Sequence, residues 1–203
     1  NVNQMAYYAF RIPVEMSVQM MSKYATLLED AAPQAIAQQV SYELASDNTS
    51  GFDAFTAIGT DNVDVTESVV LQGKQNLNDN LAPVAGRYFV FSPATYTSLI
   101  QIDAFRNQLY ANSIGNLQGS KGPGYIGKIL TLDCYMNADL EAGTSGKKNF
   151  IGQTEAIAFA EQSGIKIEKA MNIADGGFHE YMAYNVYGFK QVKSSFGREV
   201  DGK

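Results

Sequence analysis

Residues 12–48, IPVEMSVQMMSKYATLLEDAAPQAIAQQVSYELASDN, constrain this chain most. The apolar positions Val14, Val18, Met21, Ala25, Leu28, Ala32, Ile36, Val40 and Leu44 recur at steps of three or four residues. That spacing keeps them on one face of a helix. Pro33 interrupts the pattern. Inside a helix a proline removes an amide donor and its ring clashes with the preceding turn. The first turn of a new helix accommodates it well. The sequence therefore predicts two helices, 16–29 and 33–45, with a bend at 30–32. The turn-rich run Ser46-Asp47-Asn48-Thr49-Ser50-Gly51 stops the second. A helix with one apolar stripe needs a surface to cover. The pair is expected to lie along a sheet, as the spine of a flat, elongated subunit.

The remaining segments supply that sheet. Residues 1–11 carry Tyr7, Tyr8 and Phe10, which favour a strand. Asp64 and Glu67 stand at capping-box spacing before a helix expected over 66–78, which Gly73 weakens. RYFVF, 87–91, reads as a strand. Ser92-Pro93 stops it and opens helical turns at 94–100 and 104–110, with Ser92 as the N-cap. KILTLDCYM, 128–136, reads as one strand, and short strands are expected at 150–151 and 155–160. Residues 165–171 alternate apolar and charged, as in a half-exposed strand. Residues 178–192 form a long aromatic strand with Tyr181, Tyr184, Tyr187 and Phe189, and 194–200 a last one. Helices early and strands late place the chain in the α+β class.

Charge and composition narrow the function. The 203 residues fit one domain or two small ones, and the net charge is -6. That balance argues against a dedicated nucleic-acid binder. No apolar run approaches the roughly 20 residues of a membrane helix, and no signal-peptide pattern opens the chain. Because it starts at Asn1 and not at Met, it is expected to be a processed product or a fragment. The single Cys134 forms no internal disulfide and reads as a small buried strand residue.

Each chemical motif meets a plainer explanation. Gly122-Pro123-Gly124-Tyr125-Ile126-Gly127 matches GxGxxG. A dinucleotide site needs a strand before it and a helix N-terminus after it. Here the order is reversed, so a glycine turn feeding a strand is expected, with no bound nucleotide. In Asp47-Asn48-Thr49-Ser50-Gly51 the glycine comes one place early for a calcium loop and no Glu closes it, which leaves a turn. His179 is the only histidine. With Cys134 and scattered serines it makes no catalytic spacing, and it reads as a strand residue at an edge or interface. Glu29 with Asp30, and Glu155 with Glu161, read as solvated acids. Few charges flank the aromatic run 181–189, so base stacking is disfavoured. Tyr181, Tyr184, Tyr187 and Phe189 are expected at a subunit interface, where half-buried tyrosines fit well. No catalytic, cofactor-binding or metal-binding residue is expected.

The order of segments resembles the HK97-like major capsid (coat) protein family of tailed bacteriophages. LLEDAAPQAIAQQVSYELASDN resembles the Asp-Ala-Pro entry to that family's spine helix. GRYFVFSPATYTSLIQIDAFRN is similar to its strand, proline, helix stretch. GPGYIGKILTLDCYMNADL resembles its glycine, strand, small-residue loop stretch. GQTEAIAFAEQSGIKIEKA looks like the segment that returns the chain to the peripheral domain, and YNVYGFKQVKSSFGREV like the closing strands. The family's amino-terminal arm and extended hairpin would lie upstream of Asn1. No lysine matches the one that some members use to crosslink neighbours, so no crosslink residue is carried over.

The resemblance implies a spine helix over a peripheral sheet, with a peripheral domain of 1–47 and 159–203 and an axial α/β domain of 48–158. It implies a structural protein, not an enzyme, with no cofactor. Copies would form hexamers and pentamers of an icosahedral shell around double-stranded DNA held without specific binding. Scaffolding, portal and decoration proteins would be partners, and a membrane would not. The location implied is the virion capsid, assembled in the bacterial host cytoplasm. An encapsulin-like nanocompartment shell is the alternative within the same fold, and a small α+β enzyme or nucleotide binder the alternative outside it.

Overall fold

The computed structural model describes residues 4–13, 23–107, 124–140, 143–172 and 178–203. In chain order the elements are β1 (Gln4–Pro13), α1 (Lys23–Ser46), a 3-10 turn (Phe52–Ala54), β2 (Ala57–Gly59), α2 (Glu67–Asp79), β3 (Arg87–Phe91) and α3 (Pro93–Gln101). There follow β4 (Tyr125–Ile129), β5 (Leu132–Met136), β6 (Lys147–Gln153), β7 (Ile157–Asn172), β8 (Phe178–Gln191), a 3-10 turn (Ser194–Phe196) and β9 (Gly197–Gly202). The class is α+β. No helix among the described residues is long and apolar enough to cross a membrane. The chain divides into two compact units, Asn1–Ser41 with Phe159–Phe189, and Tyr42–Ala158 with Lys190–Lys203.

In the first unit the strand order is β1-β8-β7, with β1 antiparallel to β8. Helix α1 corrects the reading of Pro33. It runs without interruption from Lys23 to Ser46 and holds the proline inside it, so the expected break at 30–32 is absent. Pro33 leaves the carbonyl of residue 29 without its helical amide. Packing holds the turn regardless. Ala32 and Ile36, one helical turn apart, are buried against Ala6, Ala183 and Tyr187, with Val40 and Phe189 beside them. The stripe was read correctly over Ala32, Ile36 and Val40. Its start, at Val14, Val18 and Met21, lies outside the described residues.

The second unit is a six-stranded mixed sheet in the order β2-β9-β6-β3-β5-β4. Strand β6 is antiparallel to both neighbours, while β3 with β5 and β2 with β9 are parallel pairs. The peripheral domain expected from the sequence takes the whole tail, 159–203. Its strand β9 instead lies inside this sheet, between β2 and β6. Helix α2 buries Val70, Gly73 and Leu77. Gly73 has a packing reason, since a Cβ there would stand 2.8 Å from Ile151 Cδ1. At α3 the cap forms as read: Thr95 N donates to Ser92 Oγ at 3.1 Å and Pro93 follows. The capping box at Asp64 does not form. Thr66 takes the N-cap position of α2, and Asp64 Oδ1 accepts from Ser98 Oγ at 2.8 Å instead.

The single strand expected over 128–136 is two. Strands β4 and β5 pair antiparallel through Ile129 and Leu132, and the chain reverses at Leu130-Thr131. Both turn residues have positive φ, 49° and 75°, the geometry that a two-residue hairpin of this twist demands. Neither is glycine, so the usual hairpin signal was missing. Gly124, at φ 77°, feeds β4, and a Cβ there would meet Met136 O at 2.6 Å. Gly122 and Pro123 lie outside the described residues.

The Pro33→Ala chain should be the more stable, by about 1–3 kcal/mol, because alanine restores the missing amide and favours the helix interior. Thermal unfolding followed by circular dichroism measures this, and a lower melting temperature for the variant would contradict it.

Candidate assembly surface

Strand β8 sorts its side chains by parity, as successive residues of a strand point to opposite faces. Tyr181, Ala183, Asn185 and Tyr187 are buried. Ala183 and Tyr187 belong to the cluster under α1. Tyr187 is fully buried and stacks between Phe159, at 6.0 Å, and Phe189, at 6.4 Å. Lys169 Nζ stands 5.1 Å from the Tyr181 ring. Tyr181 and Tyr187, expected at a subunit interface, are buried within their own unit, and Phe189 is half-buried beside them. All three are odd-numbered, and the odd face of β8 is the one that α1 covers.

Tyr184 lies on the other face. Its hydroxyl donates to Glu168 Oε1 at 2.8 Å, and that bond to a carboxylate holds the phenol pKa above its ordinary value. Across the β1–β8 ladder, opposed residues share a face. Tyr7 opposes Tyr184, Met5 opposes Val186 and Ala9 opposes Met182. Tyr7 is 69% exposed, Met5 49% and Met182 37%. The next pair on this face is ionic, with Arg11 Nε 2.9 Å from Glu180 Oε1. The result is an apolar band two strands wide, closed at one end by an ion pair. Tyr7 and Met5 were missed at the sequence level. The signal that would have found them is the alternation of β1 once its pairing with β8 is known.

The second unit displays a smaller apolar feature. Arg87 is buried and ties the end of α2 to the loop after it, donating to Asn78 Oδ1 at 2.6 Å, Ala82 O at 2.6 Å and Pro83 O at 3.0 Å. The loop so held points Leu81 and Val84 into solvent, and Leu81 adopts φ 55°.

The other sequence candidates have ordinary settings. Cys134 is fully buried in β5, and burial pushes its thiol up to about 12, so it stays neutral and unreactive. His179 opposes Ile12 within the first unit's sheet. Asp47 accepts from the amides of Thr49 at 2.7 Å and Ser50 at 3.2 Å, the turn expected of that segment. Glu155 pairs with Lys193, and Glu161 accepts from Asn185 Nδ2 at 2.8 Å. Among the described residues no three His, Cys, Asp or Glu side chains gather as metal ligands.

No family model matches the chain, and no curated protein does. Solved structures do. A chain of Mycobacterium phage Che8 is 18% identical with a TM-score of 0.72, the alignment covering 98% of this chain and 71% of that one. The capsid structure of the Cyanophage P-SCSP1u is 12% identical with a TM-score of 0.62, over 100% of this chain and 73% of that one. The holo-SrpI encapsulin complex from Synechococcus elongatus PCC 7942 is 10% identical with a TM-score of 0.67, over 98% of this chain and 73% of that one. These likenesses run through both units, from the three-stranded sheet under its long helix to the mixed six-stranded sheet, and the chain accordingly has the HK97-like coat-protein fold.

Proposed function

We propose that this chain is the structural subunit of a phage-type capsid shell. In this reading copies join as hexamers and pentamers of an icosahedral wall around packaged double-stranded DNA. The first unit acts as the peripheral domain and the second as the axial domain. The observation that carries the reading is the open apolar band of Met5, Tyr7, Met182, Tyr184 and Val186 on a chain with this fold. A monomer rarely leaves a contiguous apolar patch of that kind uncovered. Repeated contacts between copies that close by rotation generate rings. Net charge of -6 agrees with a wall that holds DNA without binding its phosphates. The virion capsid is the corresponding location, with assembly in the host cytoplasm, and scaffolding, portal and decoration proteins are the corresponding partners.

An encapsulin shell is the second reading, favoured by the likeness to an encapsulin complex. The contents of purified particles separate the two. Negative-stain microscopy should show shells of regular diameter. Nuclease-protected double-stranded DNA inside them supports the capsid, and cargo protein without DNA supports the encapsulin. A small soluble globule that never assembles would refute both.

The band and the core predict opposite outcomes for two tyrosines. Tyr7→Asp should keep the unfolding free energy within about 0.5 kcal/mol of wild type and lower particle yield, since an exposed site tolerates charge until a contact buries it. Tyr187→Asp should destabilise the chain by on the order of 4 kcal/mol, because it removes a fully buried ring and puts an acid in its place. Melting curves and particle yield read the two effects. Wild-type yield from Tyr7→Asp would exclude the band as a contact.

A further inference from the structure

The second unit contains a buried group of charges that the candidate surface does not use. Glu199, in the middle of β9, is 4% exposed. It lies opposite Phe150 of β6 and Ala57 of β2. The 3-10 turn Phe52–Ala54 packs on this face, with Phe52 stacked on Phe150 at 4.3 Å between ring centroids. Three charged groups act on Glu199. The turn brings Asp53. Strand β6 brings Lys148, whose Nζ is 3.5 Å from Glu199 Oε1 and pairs with Asp53 Oδ1. Strand β9 itself brings Asp201, opposite Lys148. Strand β2 contributes Ala57, Ile58 and Gly59, none of them charged. Lys147, next along β6, is occupied elsewhere, its Nζ donating to Leu140 O at 2.9 Å. Helix α2 packs on the opposite face of the sheet, at Ile58 and Ile151.

Three acids thus meet one cation. Lys148 Nζ is the one cation that Asp53 and Glu199 share. Two carboxylates on one ammonium in a buried site leave a negative charge unpaired, and a proton on one of them removes it. We propose that Asp53, Lys148 and Glu199 form a proton-operated latch, in which a proton on Glu199 bridges to Asp53 and holds the turn Phe52–Ala54 closed on β6 and β9. Loss of the proton leaves two carboxylates facing one another with a single ammonium between them, and the turn opens to let water reach Glu199.

The direction of the pH effect follows. Burial pushes the Glu199 carboxyl up from 4.5 to about 8, with Asp53 and Asp201 adding to the rise and Lys148 opposing it. Between those values the closed form keeps a proton that the opened form gives up. Opening is therefore suppressed at acid pH, grows by up to about tenfold per pH unit across the window, and is level above it.

Hydrogen exchange of the whole chain tests the latch. The readout is the peptide over 52–58, which includes the Phe55 amide that donates to Phe52 O at 3.3 Å. Protection, corrected for intrinsic exchange, should fall at least about tenfold in wild type between about pH 5.5 and about pH 8.5. Glu199→Gln keeps a donor to Asp53 but does not titrate, so its protection should agree at the two pH values within about twofold. Lys148→Met removes the group that lowers the transition, so its loss of protection should move to higher pH. Equal wild-type protection at both pH values, or the same loss in Glu199→Gln, overturns the latch. Should Glu199→Gln fail to fold, the Lys148→Met chain decides, and a transition that stays in place or moves to lower pH overturns it.

Discussion

Strand β6 is buried on both faces, and the second unit is arranged around that constraint. Phe150 fills one face, stacked on Phe52 and meeting Phe55 edge-on at 5.0 Å. Room for its ring comes from two glycines. A Cβ on Gly152 would stand 2.4 Å from it and one on Gly197 2.6 Å. Ile151 fills the other face, where Gly73 lets α2 approach. Next to Phe150 on β6, Asn149 is fully buried and fully satisfied. It accepts from Ser92 N and Thr95 Oγ1, and donates to Val200 O and Lys147 O. A buried amide is tolerable only when its partners are complete. Here those partners tie the cap of α3 to strand β9, so one asparagine links three elements.

In the first unit a different arrangement leads to the candidate surface. A single helix covers one face of a three-stranded sheet and leaves the other to solvent. The covered face holds small residues where the helix approaches, Ala6, Ala32 and Ala183, with Ile36 and Tyr187 filling the space between. Along β1 and β8 the uncovered face is apolar over three opposed pairs, with Glu168 of β7 at the Tyr184 hydroxyl and the ion pair of Arg11 and Glu180 at one end. The solvated face of an antiparallel sheet is ordinarily polar. The apolar band is the surface on which the proposed contact between copies would form.

Helix positions, the cap at Ser92, the strand at 87–91 and the buried setting of Cys134 could be read from the chain alone, because each rests on contacts within a few residues or on spacing along one element. The stripe of α1 was equally visible at Ala32, Ile36 and Val40. Its continuity through Pro33 was not. The local penalty of a proline is a property of the helix, and the burial that outweighs it involves Ala6, Ala183 and Tyr187 from two distant strands. The hairpin at Leu130-Thr131 was hidden for the same kind of reason. Its left-handed residues carry no local signal and are held by the pairing of β4 with β5.

The candidate surface shows the limit most clearly. The sequence by itself determined that β8 is a long aromatic strand and that its side chains alternate. Which alternate set meets α1 depends on where the helix lies and on a register that joins residues about 180 positions apart, Met5 with Val186 and Tyr7 with Tyr184. A shift of that register by one residue would exchange the buried and open sets. The sequence could thus name the aromatic residues, but only the tertiary structure decided that Tyr181 and Tyr187 belong to the core and that Tyr184 joins Tyr7 in the open, because the helix has room on one face alone.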